Sequence, residues 1–87
     1  PGVLILQSLV ELASAQLARA RAGQFRLAGM EGVRFRRFVE PGEVLRLEID
    51  QIAVPAPGES RCRGRALVAG QLAATVRTLR MVAGDQP

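Results

Sequence analysis

The chain has 87 residues, of which 48% are hydrophobic and 23% charged, and its formal net charge is +4. This length accommodates one small domain with one core, and the composition is typical of a globular chain and not of a disordered one. Three phenylalanines without tyrosine or tryptophan leave little surface for base stacking, so we expect no nucleic-acid partner.

The cysteine and histidine content limits the chemistry further. Cys62 is the single cysteine and the sequence has no histidine, which excludes an internal disulfide and an ordinary zinc site within these residues. We therefore expect no cofactor and no metal, and a reducing cytoplasmic setting fits. Because a domain of this size buries only about 60% of its unfolded surface, we also expect it to associate with another chain.

The first element is a helix over residues 3–21, which Gly23 would end. Polar interruptions at Gln7, Ser8 and Glu11 argue against a membrane span. Because the helix carries little charge, we expect it to be mostly buried. Its more apolar stripe comprises Val3, Leu6, Leu9, Val10, Ala13 and Leu17. The second stripe comprises Gln7, Ser8, Glu11, Ser14, Ala15 and Ala18.

Beyond residue 25 the hydrophobic period changes to two, which predicts half-buried antiparallel strands around residues 33–36, 44–50 and 61–68. Pro41-Gly42 predicts a tight turn between two strands, and Ala69-Gly70 predicts a hairpin turn before a last strand over 71–81. One long helix followed by about four antiparallel strands is an α+β layout, in which a sheet wraps against the helix.

The third of these strands alternates between arginine and small residues. Arg61, Arg63 and Arg65 are expected to be surface charge that discourages edge-to-edge pairing of sheets. Cys62 lies on the opposite face of the strand with Gly64, so we expect a small buried hydrophobe and not a nucleophile.

Three motifs, in chain order, resemble those of one enzyme family. Residues 1–4 read PGVL, residues 34–45 fit the pattern RFRxxVxPGxxL with Glu43 where aspartate is usual, and residues 64–70 read GRALVAG with Ala69 in place of aspartate. The chain is similar to the 3-hydroxyacyl-acyl carrier protein dehydratases of the FabZ type along nearly its whole length. The resemblance implies a hotdog fold, in which a curled antiparallel sheet wraps a long central helix.

The same resemblance implies that residues 1–87 form a single domain, and that the family's first strands and histidine-bearing loop precede Pro1. It also implies a thioester substrate on acyl carrier protein or coenzyme A. The active enzyme of the family is a dimer, so we expect a homodimer or a hotdog heterodimer, or a larger oligomer of such dimers.

The family's catalytic glutamate on the helix aligns with Gln7, and its downstream glutamine aligns with Glu11. An amide can hydrogen-bond a hydroxyl or a water but supplies no proton at neutral pH. Glu11 is therefore a candidate relocated acid, although one helical turn displaces it by about 5.4 Å. Alternatively, Gln7 orients the leaving hydroxyl while an upstream histidine acts as both base and acid. A further alternative is that Gln7 and Glu11 are simply hydrogen-bonded polar residues near a dimer interface.

Two other functions stay open. One is a catalytically inactive subunit that binds acyl thioesters or lends structure to an active partner, and the other is a hotdog thioesterase, which would use Glu11. By resemblance, Arg34, Arg36 and Arg37 would contact the acidic carrier protein, although a solvated strand face explains them equally simply. The residues expected to contact the acyl substrate are Gly2, Val3, Phe35 and Phe38. A wider set lines either an acyl tunnel or the core: Phe35, Phe38, Leu27, Met30, Leu79 and Met81.

Overall fold

The computed structural model describes residues 2–21 and 23–84, so Pro1 of the PGVL motif lies outside the described residues. One helix is followed by four strands, as the change from a helical hydrophobic period to a period of two predicted. The elements are α1 (Gly2–Arg21), β1 (Phe25–Phe35), β2 (Leu45–Ala53), β3 (Glu59–Val68) and β4 (Gln71–Ala83).

The four strands form one antiparallel sheet in the order β1-β4-β3-β2, and α1 packs against one face of it. This arrangement confirms the predicted α+β class and the hotdog fold. Because β1 and β2 lie at opposite edges, Pro41-Gly42 turns the chain within a crossover and not within a hairpin. Gly42 has a φ of 89°, a conformation in which a side chain would be strained.

The position of β3 overturns one expectation. This strand lies between β4 and β2, so Arg61, Arg63 and Arg65 protect no sheet edge. They do lie on the outer face, since they alternate with the buried residues Ser60 and Cys62. The hairpin after β3 is confirmed: Ala69 and Gly70 have φ values of 52° and 80°, the pair of positive angles that a type I′ turn needs.

The core forms where α1 crosses the sheet. Ile5, Leu9, Ala13 and Leu17 recur every four residues and are buried against the sheet. Gly64 of β3 lies beside Leu9, since a Cβ placed there would lie 3.5 Å from both methyl carbons of Leu9, an ordinary contact distance. The predicted stripe was wrong at its first position, since Val3 is 75% exposed and Ile5 takes its place in the core.

The expectation that α1 is mostly buried was also wrong for the described chain. Val3, Leu4, Gln7, Glu11 and Ala15 form an exposed stripe along the side of the helix that faces away from the sheet. By length and composition alone, Gly2–Ala20 would also qualify as a membrane-crossing helix. The sheet covers only one face of this helix, at Ile5, Leu9, Ala13 and Leu17.

Candidate functional site

An apolar groove lies between the start of α1 and the end of β1, and we call it the N-terminal groove. It has a cavity volume of about 370 Å³ and is lined by Gly2, Val3, Ile5, Leu6, Phe35, Arg37, Phe38 and Val39. All four residues expected to contact an acyl substrate are therefore brought together, although they come from two separate parts of the sequence.

Gly2 and Phe35 form the closest contact of the groove. A Cβ at Gly2 would lie 2.6 Å from Cζ of the Phe35 ring, well inside the contact distance of two carbon atoms. Glycine at this position therefore lets the aromatic ring lie directly over the first turn of α1. The pair defines one wall of the N-terminal groove.

Exposure separates the aromatic residues from the other members of the predicted tunnel set. Phe35 is 53% exposed and Phe38 is 79% exposed, so core packing does not explain them. Leu79 and Met81 are almost fully buried in the core and do not line the N-terminal groove. The remaining two, Leu27 and Met30, are partly buried against the same core.

A second cavity of about 420 Å³ lies on the other side of the crossover. It shares Ile5, Phe38 and Val39 with the N-terminal groove, so residues 38–39 separate two neighbouring depressions. Sequence reasoning missed the residues that complete this second wall, in particular Leu4, Ser8 and Leu45. Helical spacing relates Leu4 to Ser8, but nothing in the local sequence indicates that the crossover returns to this side of α1.

An ion pair holds the crossover. Arg37 Nη2 lies 3.0 Å from Glu43 Oε2, and both side chains are about one-third exposed. The backbone N–H of Glu40 donates to Glu43 Oε1 at 2.8 Å, which ties the same carboxylate to the turn. Arg37 is thus engaged beside the N-terminal groove, whereas Arg34 and Arg36 line the outer face of the sheet. The predicted carrier-binding arginines are therefore divided between two surfaces.

Gln7 and Glu11 lie one turn apart on the exposed stripe of α1. Within residues 2–21 and 23–84, neither side chain makes a hydrogen bond or an ion pair, and neither lines the N-terminal groove. The prediction that both are hydrogen-bonded is therefore not met inside the single chain. Any partner for these two groups has to come from outside the described residues.

Cys62 is buried on the helix side of β3, as predicted. Burial raises the pKa of its thiol, and the neighbouring Ser60 hydroxyl, 4.0 Å from Sγ, opposes this only in part. Ser60 in turn accepts a hydrogen bond from Gln51 Nε2 at 2.7 Å. A protonated, enclosed thiol is a poor nucleophile. Among the described residues, no cluster of three or more cysteine, aspartate or glutamate side chains is arranged to hold a metal ion.

Comparison with known proteins identifies the family. Residues 1–63 match the ApeI-like family, described as the ApeI dehydratase, and this segment contains α1, the crossover and the N-terminal groove. The chain belongs to the ApeI-like dehydratase family. The predicted resemblance to hotdog dehydratases is thereby confirmed.

Curated relatives of the chain include proteins named 3-hydroxyacyl-[acyl-carrier-protein] dehydratase FabZ. The protein from Moorella thermoacetica is 44% identical over 77 residues, covering 85% of this chain and 53% of the relative. That from Chloroflexus aggregans is 39% identical over 82 residues, covering 91% and 56%. That from Thermomicrobium roseum is 42% identical over 79 residues, covering 85% and 51%. The chain spans about half the length of the relatives it matches.

Proposed function

We propose that this chain forms the acyl-binding and helix-borne part of a 3-hydroxyacyl-thioester dehydratase, which converts 3-hydroxyacyl thioesters to trans-2-enoyl thioesters. The N-terminal groove carries this proposal, because Gly2, Val3, Phe35 and Phe38 meet there to form an open apolar trough. Its volume and apolar walls suit an acyl chain. The FabZ relatives, whose name states this reaction, support the same chemistry.

The reaction needs two proton transfers and one stabilised oxyanion. A base removes the α-proton, which the thioester carbonyl acidifies, and an acid protonates the 3-hydroxyl as it leaves. Backbone N–H groups stabilise the negative charge on the thioester oxygen. We assign the base to a histidine upstream of Pro1, as the family resemblance implies. Gln7 would orient the leaving hydroxyl or water, and the same histidine would return the proton.

A second chain would complete this site. Gln7 and Glu11 face outward beside the exposed residues Val3 and Leu4, so the described chain leaves the reacting groups in water. Proton transfer of this kind benefits from a site that excludes bulk water. We therefore propose a hotdog homodimer or heterodimer, acting in the cytoplasm on an acyl group carried by acyl carrier protein or coenzyme A.

One observation favours a second candidate function. Gln7 cannot donate a proton and stands where the family has its acid, while the N-terminal groove, which Gln7 does not line, is present in the described chain. These features are compatible with a subunit that binds acyl thioesters without transforming them. The two functions share the groove and differ only in turnover.

The test measures hydration of a trans-2-enoyl thioester by the full-length protein. The reaction is monitored through the loss of enoyl absorbance. We expect slow turnover by the natural protein, and a rate about 10²–10⁴ times higher for Gln7→Glu, because one positioned acid contributes about that much. Glu11→Gln is the matched control, since it alters a carboxylate one turn away on the same exposed stripe. Its rate should equal that of the natural protein.

Three outcomes would change this assignment. An absence of turnover in both the natural protein and Gln7→Glu would contradict the dehydratase and favour the binding subunit. Loss of activity in a folded Glu11→Gln variant would move the acid to Glu11. Release of free thiol, detected with a thiol-trapping dye, would identify a thioesterase.

A further inference from the structure

A second concave surface lies on the face of the sheet that points away from α1. Five arginines and Thr75 surround a cleft of about 290 Å³, and we call it the outer arginine cleft. Its arginines are Arg34, Arg36, Arg63, Arg65 and Arg77. Arg34 lies at the end of β1 and Arg36 just after it, the other three come from β3 and β4, and none of the five lines the N-terminal groove.

Strand register explains why these side chains converge. Thr75 of β4 pairs with Arg34 on one side and with Arg65 on the other, so the three residues form one row across the sheet. Adjacent strands lie about 4.8 Å apart, which places the backbones at Arg34 and Arg65 about 10 Å from each other. Two arginine side chains easily span this gap and can direct their guanidinium groups toward a common ligand.

The positive charge of the cleft is only partly compensated. Glu48 pairs with Arg65, and Glu31 Oε1 lies 3.8 Å from Arg77 Nη2. Arg34, Arg36 and Arg63 make no ion pair within the described parts of the chain. In addition, the Nε atom of Arg65 is buried and has no hydrogen-bond acceptor there. The cleft therefore combines an excess of charge with a donor that lacks an acceptor.

We propose that the outer arginine cleft binds a compact multivalent phosphate anion of the diphosphate class. The planar guanidinium fork matches a phosphate group through paired hydrogen bonds, and arginine is the residue best suited to this contact. A small concave cleft favours a compact ligand over an extended polypeptide or nucleic acid, which would need a longer surface. The site lies on the opposite layer of the molecule from the N-terminal groove, so it is independent of the proposed dehydratase activity.

Titration calorimetry of the full-length protein with sodium pyrophosphate, in about 0.15 M NaCl, tests this site directly. We expect saturable binding to the natural protein and an affinity at least about tenfold lower for the double variant Arg34→Gln/Arg63→Gln, because each charge-assisted contact is strong. Both side chains are exposed, so the substitutions should leave the fold intact, which circular dichroism can verify.

The matched control is Arg19→Gln/Arg26→Gln, which removes the same charge from exposed positions outside the cleft. Its affinity for pyrophosphate should fall by less than about threefold, since only the long-range field changes. Equal losses in both double variants, or no saturable binding, would overturn the proposal. Binding of a hexaglutamate peptide without binding of pyrophosphate would also overturn it, and would assign the cleft to an acidic polypeptide. None of these outcomes depends on enoyl-thioester turnover, so a failure of this proposal can be told apart from a failure of the proposed dehydratase activity.

Discussion

The buried stripe of α1 and the exposed positions of its first turn use similar apolar residues for opposite purposes. In the buried stripe, Leu9, Ala13 and Leu17 pack against the sheet, and Gly64 lies beside Leu9. In the first turn, Val3 and Leu4 are 75% and 59% exposed, and the nearby phenylalanines of the N-terminal groove are exposed as well. One face of the helix is thus a core element, whereas Val3 and Leu4 in its first turn add to an open apolar surface.

This difference separates stability from binding along one helix. Buried apolar groups contribute to folding because they leave water when the chain folds. Exposed apolar groups that cluster in a concave surface contribute little to folding, and they are typical of sites for ligands or partner chains. Substitutions in the buried stripe and in the exposed first turn should therefore affect different measurements.

The largest effect is expected for Leu9→Ala. Leu9 is fully buried and contacts the sheet at Gly64, so truncation should lower the free energy of unfolding by about 3 kcal/mol. Leu4→Ala is the matched control on the same helix, and should change the free energy of unfolding by less than about 0.5 kcal/mol. Urea unfolding followed by circular dichroism measures both. Similar losses for the two variants would show that the first turn of α1 is packed in solution.

A smaller effect is expected at the groove wall. Phe35→Ala removes the ring that lies over Gly2, and should weaken the binding of a fluorescent apolar dye by about tenfold while changing stability little. Ile52→Ala is the control, because Ile52 is 42% exposed on β2 and lies outside the groove. Equal dye binding by Phe35→Ala and the natural protein would argue against an apolar site there.

A still smaller effect is expected for the ion pair in the crossover that borders the groove. Glu43→Gln keeps an acceptor for the Glu40 N–H but removes the charge that pairs with Arg37. We expect a loss of about 0.5–1 kcal/mol in unfolding free energy, since both side chains are partly exposed and solvent screens the pair. A double-mutant cycle with Arg37→Met isolates the pair. A coupling energy near zero would mean that the ion pair does not hold the crossover.

The smallest effect concerns Cys62, in the core between the sheet and the buried stripe of α1, and appears only at high pH. Burial raises the pKa of the Cys62 thiol above its ordinary value, so the unfolded chain releases this proton first as the pH rises. The associated stability is fully present below about pH 8.5 and is lost as the pH rises through the raised pKa of the folded state. Unfolding measured at increasing pH should show this decline in the natural protein and its absence in Cys62→Ala. Identical profiles would contradict a dry environment for the thiol.

Local patterns predicted the elements of this fold well. The helical period at residues 3–21, the alternation of arginine with small residues in β3, and the Ala69-Gly70 turn each depend on neighbours in sequence, and each was confirmed. The stripe on α1 was less well predicted, because Val3 and Ile5 are both apolar and periodicity alone does not tell which one faces the sheet.

The candidate site could be predicted in part. Gly2, Val3 and Phe35 were named from family motifs and Phe38 as an aromatic residue near them, but helical and strand periods carry no information about distances between residues so far apart in the sequence. Leu4 and Leu45 belong to the same motifs, yet they were missed together with Ser8, because only the crossover brings the three into one cavity. Likewise, the row of Arg34, Thr75 and Arg65 depends on the pairing of three strands, which the individual strand patterns do not specify.

By itself, the sequence determined the type and order of the elements and the family to which the chain belongs, because periodicity, turn chemistry and short motifs act over a few residues. Only the tertiary structure decided which strands are interior, which face of α1 is buried, and how the arginines divide between two surfaces. The physical reason is that burial and charge clustering depend on contacts between distant segments, and these contacts exist only when the sheet and the helix have packed together.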